Sequence, residues 1–299
     1  MSGHSHDSAG NLRVAFFLNL GFTILEIIGG LLTNSVAILS DALHDLGDSL
    51  SLGVAWYLEN VAKREPDHRF SYGYRRFSLL GALITSIVLI IGSLIVLSEA
   101  VQRVSEPEEP AAGGMILLAV IGIGVNGLAA LRVRGDSGLS AQAVSWHLLE
   151  DVLGWIAVLF VGIALNFVDA PVLDPVLSML LAAYVLYRVI ENLRKTLRVF
   201  LQATPEGIDL AAIEHQLVEI EGVRDQHHTH IWSLDGERNV LTTHLVISET
   251  ASPASAFRIK CDVEKLLEHH KFTHMTIEIE FGDEDCMSLD DERAKTRHD

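Results

Sequence analysis

VAILSDALHDLGDSLSLGVAWYLENV, residues 36–61, is the stretch whose reading decides the fold. It is long enough for a helix to cross a bilayer core, which takes about 20 residues. Yet Asp41, His44, Asp45 and Asp48 fall inside it. An acid at the centre of a span costs roughly 2.5–3.5 kcal/mol on insertion scales. Snorkelling from a helix end explains Asp41, which sits near one end, but not Asp48. A second apolar stretch, residues 141–168, contains WHLLED at 146–151, with His147, Glu150 and Asp151. Both stretches carry His-x-x-x-Asp: His44 with Asp48, and His147 with Asp151. Four residues is about one helical turn, so each pair lies on one face. Two such faces brought together offer two imidazole nitrogens and two carboxylate oxygens, a set suited to tetrahedral zinc. Magnesium and calcium prefer all-oxygen sites. The alternative is a buried network of shared protons without metal, as in a pump or proton channel.

Around these stretches the chain reads as a membrane protein. It has 299 residues, 49% of them hydrophobic, and a mean hydropathy of +0.32, too apolar for a soluble chain of this length. Apolar runs at 11–32, 36–61, 77–104, 114–133, 141–168 and 172–193 give an all-α six-helix transmembrane domain over 11–202. The basic residues cluster after the second run (Lys63, Arg64, Arg69, Arg75, Arg76), after the fourth (Arg132, Arg134) and after the sixth (Arg194, Lys195, Arg198). That places one face, and both termini, in the cytoplasm. Residues 1–10, polar and bearing His4 and His6, read as a disordered start, and no secretory signal peptide is visible. The net charge of −17 argues against a nucleic-acid partner, since phosphate needs a basic face. Two cysteines, Cys261 and Cys286, make no disulfide framework.

Beyond residue 202, Pro205 and Gly207 mark a linker. The pattern then reads helix 208–220, strand 223–233, strand 239–247, helix 254–269, strand 272–281. This order suggests a C-terminal α+β ferredoxin-like cytoplasmic domain, residues 203–283, followed by a disordered acidic tail, 284–299. Its first strand carries His227, His228 and His230, its second His244, its third Glu278 and Glu280. Alternation puts His228 and His230 on one face and His227 on the other.

The chain resembles the cation diffusion facilitator family, the zinc transporters of the metal/proton antiport type. The residues that carry the likeness are SDALHDLGD at 40–48, WHLLED at 146–151, Tyr72-Gly73-Tyr74-Arg75-Arg76 before the third span, and His230-Ile231-Trp232-Ser233-Leu234 in the tail domain. The resemblance implies secondary active efflux of zinc from the cytoplasm in exchange for protons. It implies alternating access around His44, Asp48, His147 and Asp151, in a homodimer within the lipid bilayer. It implies that His227, His244 and Glu278 are the cytoplasmic metal ligands, with zinc as a regulatory ion there. His44, where some relatives have Asp, favours zinc over cadmium or manganese by resemblance, in line with the softness of imidazole. Some relatives hold a further metal between the second and third spans. Here Phe70 and Tyr74 stand where histidines would be wanted, leaving only Asp67 and His68 as remnants, so that site is expected to be absent or reduced. The short loop 133–140 looks bacterial, which implies the plasma (inner) membrane.

Three rivals stand beside this reading. A membrane metalloenzyme needs an open coordination position and a general base, and the chain has no His-Glu-x-x-His run. A sensor would not need six spans, and a passive channel would not saturate. Glu26, Asn19 and Asn126, polar within spans, either line a water path or bond between helices. Gly29, Gly30 and Gly92 read as close-packing points.

Overall fold

The computed structural model describes residues 5–62, 64, 66–133, 139–270 and 272–282, with only the backbone at 5–15, 55–56, 58–60, 62, 132–133 and 139–147. His4, Cys286 and the expected disordered tail lie outside the described residues. Contacts divide the chain into two compact units, Met1–Lys195 and Thr196–Asp299.

The first unit is helical: α1 (Ser5–Thr33), α2 (Val36–Ala62), α3 (Phe77–Ser105), α4 (Ala112–Val133), α5 (Leu139–Leu165) and α6 (Leu173–Phe200). Residues 5–10, expected to be disordered, instead continue α1; once a helix is nucleated, each further residue adds one hydrogen bond for one residue fixed. Among the described residues, five of the helices, all but α2, are apolar and long enough to cross a membrane. Only 22–33% of each apolar window is buried inside the protein. The exposed remainder is rich in Leu, Ile, Val and Phe, the pattern of helices solvated by lipid. α2 differs because Asp41, Asp45 and Asp48 interrupt its apolar run.

Small residues let the helices approach. A Cβ on Gly29 would stand 2.5 Å from Leu118 Cδ1, and one on Gly30 2.7 Å from Leu39 Cδ2. Trp155 of α5, 1% exposed, packs with Ala37 and Ile38 of α2 and Met115 and Ala119 of α4. This cluster fixes α2 against α5.

One end of α2 is pinned from a distant part of the chain. Asp174, in the first turn of α6 and 1% exposed, accepts from Ser35 Oγ at 2.5 Å, Val36 N at 2.8 Å and Ala37 N at 3.4 Å. The carboxylate thus satisfies the orphan N–H groups and complements the positive end of α2. Beside it, Arg103 donates to the carbonyl of Asn34 at 2.9 Å, and Asn34, at a left-handed φ of 52°, donates to Glu108 at 2.9 Å.

The second unit is a small α+β domain: α7 (Leu210–Val218), β1 (Val223–Ser233), β2 (Asn239–Ile247), α8 (Pro253–Leu267) and β3 (Phe272–Phe281). Asp209 caps α7 by accepting from Ala212 N at 3.1 Å, and Ser252 caps α8, with Pro253 at its first turn. The sheet order is β1-β2-β3, β1 antiparallel and β3 parallel to β2. Leu241, Leu245 and Ile247 on one face of β2 join Ile213, Leu217, Ile259 and Val263 in the core. Period-2 alternation therefore turns His244 to the opposite face.

Candidate functional site

The first cluster forms where α2 meets α5. His44 Nε2 lies 3.8 Å from Asp48 Oδ2 on its own helix and 3.7 Å from Asp151 Oδ1 on α5. The side chains are 23%, 31% and 9% exposed respectively, so the group is shielded but reachable. Donor atoms around a tetrahedral zinc with bonds of about 2.0–2.1 Å stand ~3.3–3.4 Å apart. The observed separations are a few tenths of an ångström wider, within reach of small side-chain rotations. The backbone of α5 places His147 one turn before Asp151; its side chain lies outside the described residues.

Two cavities meet at His44. One, of about 320 Å³, runs along α2 from His44 past Asp48 to Ser51 and along α6 to Lys195. The other, of about 250 Å³, extends the opposite way, past Ser40, Asp41 and Gly154 to Tyr184. Glu150 borders both. Asp41, expected to snorkel from a helix end, is instead 7% exposed, and a Cβ on Gly154 would come within 3.3 Å of its Oδ1. Close packing by Gly154 encloses it.

The second cluster lies on the face of the sheet away from the helices. His227 and His244 pair across β1 and β2. Glu280 Oε1 stands 3.2 Å from His227 Nε2 and 2.8 Å from His244 Nδ1. One donor atom from each residue falls within 4.8 Å of the others, a grouping able to hold a metal ion. Glu278, expected to ligate, lies 3.3 Å from the other nitrogen of the His244 ring, Nε2, and is 59% exposed. In this conformation Glu280 Oε1 stands against both rings, and Glu278 against the far nitrogen of His244. An acid in that position accepts the ring N–H and leaves Nδ1 as the donor to metal. Strict alternation would have put His227 beneath the sheet with Thr229, which bonds the buried Thr243 at 2.8 Å. A register irregularity between His227 and His230, with His228 at φ 50°, moves it across. The same irregularity brings the His228 ring within 5.1 Å of His227 and 5.3 Å of His244. The expected separation of His227 from its neighbour is thereby corrected. His230 is exposed.

Between α2 and α3 the chain holds itself together with its own side chains. Tyr74 donates its hydroxyl to Asp67 Oδ2 at 2.6 Å, and the amides of Arg69 and Phe70 donate to Oδ1, each at 2.8 Å. These bonds hold the Asp67 carboxyl below its ordinary range, with the Tyr74 bond the largest cause, and raise the Tyr74 phenol. Phe70, Tyr74 and Phe77 pack around it, with ring centroids 4.7–5.7 Å apart.

Comparisons with known proteins agree with these features. Residues 12–201 match the cation efflux transmembrane domain family, and residues 205–281 the cation efflux protein cytoplasmic domain family. The chain is 34% identical over 285 residues to the cadmium, cobalt and zinc/H(+)-K(+) antiporter of Bacillus subtilis, covering 93% of this chain and 92% of that protein. It is 32% identical over 289 residues to the metal cation efflux system protein CzcD of Cupriavidus metallidurans, covering 94% and 90%. It is 31% identical over 307 residues to the zinc transporter ZitB of Pectobacterium atrosepticum, covering 99% and 95%. A bundle of apolar helices, a shielded histidine–carboxylate cluster and two family matches that together span residues 12–281 lead to one conclusion: the chain belongs to the cation efflux, or cation diffusion facilitator, family and is a membrane transporter of metal cations, not an enzyme.

Proposed function

We propose that the chain expels zinc, or a similar divalent transition metal, from the cytoplasm in exchange for protons, by alternating access around His44, Asp48, His147 and Asp151. The observation that carries this reading is the position of His44. It stands between carboxylates of two helices, 3.7 and 3.8 Å away, where two cavities pointing in opposite directions meet. A metal held there has a cavity on each side of it along α2, which access from the two membrane faces in turn requires. Metal ligation needs neutral imidazole and ionised carboxylate, so protons and metal compete for the same groups. The names of the relatives, which include zinc transporter and zinc/H(+)-K(+) antiporter, support zinc and proton exchange.

On this reading α2 is a sixth span, both termini are cytoplasmic, and the protein sits in a bacterial inner membrane as a homodimer. The tail domain is a ferredoxin-like unit whose His227, His244 and Glu280, steadied by Glu278, take a regulatory zinc ion. Two imidazoles and a carboxylate are a donor set that suits zinc. The test is zinc flux into proteoliposomes under an imposed pH gradient, for the parent and Asp151→Ala. Flux in the parent that rises with the gradient and vanishes in the variant is expected. Undiminished flux in Asp151→Ala would sink the site.

A further inference from the structure

On α1, Asn19, Thr23 and Glu26 fall at i, i+4 and i+7 and therefore on one helical face. That face seats on α2. Asn19 Nδ2 donates to the Asp45 carbonyl at 3.1 Å and to Ser49 Oγ at 3.0 Å. Thr23 donates to the Asn19 carbonyl at 2.9 Å and lies 3.4 Å from Ser49 Oγ. Thr23 and Ser49 are 0% and 1% exposed. Glu26 ends this buried polar strip. It is 0% exposed, and neither of its carboxyl oxygens meets a partner within normal hydrogen-bond distance, although the Asp45 carboxyl of α2 stands close enough to share a longer bond with it. The charged groups that face it are further carboxyls: Asp45 and Asp41 of α2 and, more weakly, Asp151 of α5. α4, which also packs on α1, brings no charged group among its described side chains.

An ionised carboxylate withdrawn from water, with no donor and with acids for neighbours, costs several kcal/mol. The cluster must therefore hold a cation of its own. The zinc ligands do not supply it. Successive helical residues are ~100° apart around the axis, so Asp45 points to the α1 flank of α2 while His44 points toward α5. A carboxyl with neither oxygen met at normal distance, beside a second carboxyl and enclosed by packed side chains, has the geometry to carry a proton on one oxygen.

We propose that Glu26 carries an exchangeable proton of the transport cycle, on the α1 flank of α2 and apart from the metal ligands. The proton joins a carboxylate oxygen and leaves it again, with no other bond changed. A dication arriving between Asp48 and Asp151 raises the local potential and drives the proton off Glu26. Departure of the metal leaves the acids to reclaim one. The polar strip from Glu26 to Asn19 offers it a route along the α1–α2 seam. This inference rests on the proton-exchange reading above.

The experiment uses the full-length protein in two forms. In proteoliposomes, zinc flux is compared with and without a pH gradient for the parent and Glu26→Gln. The gradient response is expected to fall about tenfold in the variant, within the usual range of coupling between sites, and calorimetric zinc affinity in detergent should weaken by no more than that factor and lose the part of its pH dependence that Glu26 supplies, as reciprocity requires. Glu26→Asp, which keeps a carboxyl, should retain part of the response. A full gradient response in Glu26→Gln overturns the inference and leaves proton exchange standing. A parent that ignores the gradient overturns both. A response that follows a potassium gradient in place of pH overturns the assignment of a proton. An infrared difference spectrum keeps the question decidable should Glu26→Gln fail to fold: the parent should lose a buried protonated-carboxyl band when zinc is added, and a parent without that band refutes the inference.

Discussion

Replacing Asp174 by Ala should loosen the pinned end of α2. The carboxylate accepts from one hydroxyl and two backbone amides in a site 1% exposed. Loss of a helix cap by itself costs about 0.5–2 kcal/mol, and each buried donor left unmet costs roughly 1–3 kcal/mol. Relief from burying a charge offsets part of this, and the Ser35 hydroxyl still caps Ile38 N at 3.2 Å. The net expectation is a loss of ~2–4 kcal/mol for Asp174→Ala and ~1–2 kcal/mol for Asp174→Asn, which keeps one acceptor oxygen. Unfolding in detergent is read as an apparent midpoint at a fixed scan rate, because large membrane proteins seldom refold on cooling. At about 2–4 °C per kcal/mol, Asp174→Ala should melt roughly 4–16 °C below the parent, with the Asn variant between them. A midpoint within about 1 °C of the parent, or Ala and Asn variants that coincide, would refute the reasoning.

Three further outcomes are expected. In vesicle uptake, Asp48→Ala should lose zinc flux at least ~100-fold, as removal of a metal ligand does, and His44→Asp should admit cadmium and manganese, since oxygen donors are less selective for zinc. In chelator competition, Glu280→Gln should weaken zinc binding at the tail domain by ~100-fold or more and Glu278→Gln by only about tenfold, the difference between a ligand and the group that orients one; equal effects would contradict the assignment. The Asp67–Tyr74 bond gives a pH window: because Asp67 is held low, its support of the loop is complete above the ordinary aspartate value of ~3.9 and fades as pH falls through the lower folded value. Tyr74 is held high, so the phenol should ionise above ~10 by ultraviolet titration and return toward that value in Asp67→Asn.

The helices and strands were largely legible because each has a clean period. Apolar runs of bilayer length gave α1–α6 to within a few residues at most ends, and the strand patterns at 223–233 and 239–247 gave β1 and β2. What the sequence hid depends on contacts far along the chain or on one backbone angle. Asp174 lies one residue before a proline in the first turn of its own helix, yet its partners are Ser35 and Val36, 139 and 138 residues away. His227 changes faces through the left-handed φ of His228, which alternation cannot foresee. The approach of the acids to His244 is diagonal: Glu278 stands directly opposite it in the β2–β3 register yet lies against the far ring nitrogen, while Glu280, two residues on, reaches Nδ1. Asp41 was misjudged because snorkelling was argued from its place along the helix, and enclosure by Gly154 was not visible. Asn19 proved to be a bond between helices, settling one of the alternatives left open for the polar groups in α1.

The acids of α2 also bear on how the chain is made. Asp41, Asp45 and Asp48 would together cost ~8–10 kcal/mol if that segment left the translocon alone, more than its apolar side chains return. α1 emerges first and brings Asn19, Thr23 and Glu26, the strip against which α2 seats. The two segments should therefore enter the lipid as a hairpin, with biosynthesis pausing at the first pair until the second is complete. A nascent chain whose α1 strip is replaced by leucine should leave α2 stranded on the extracytoplasmic side, readable by glycosylation of a tag placed in the loop that follows, which is cytoplasmic when α2 inserts.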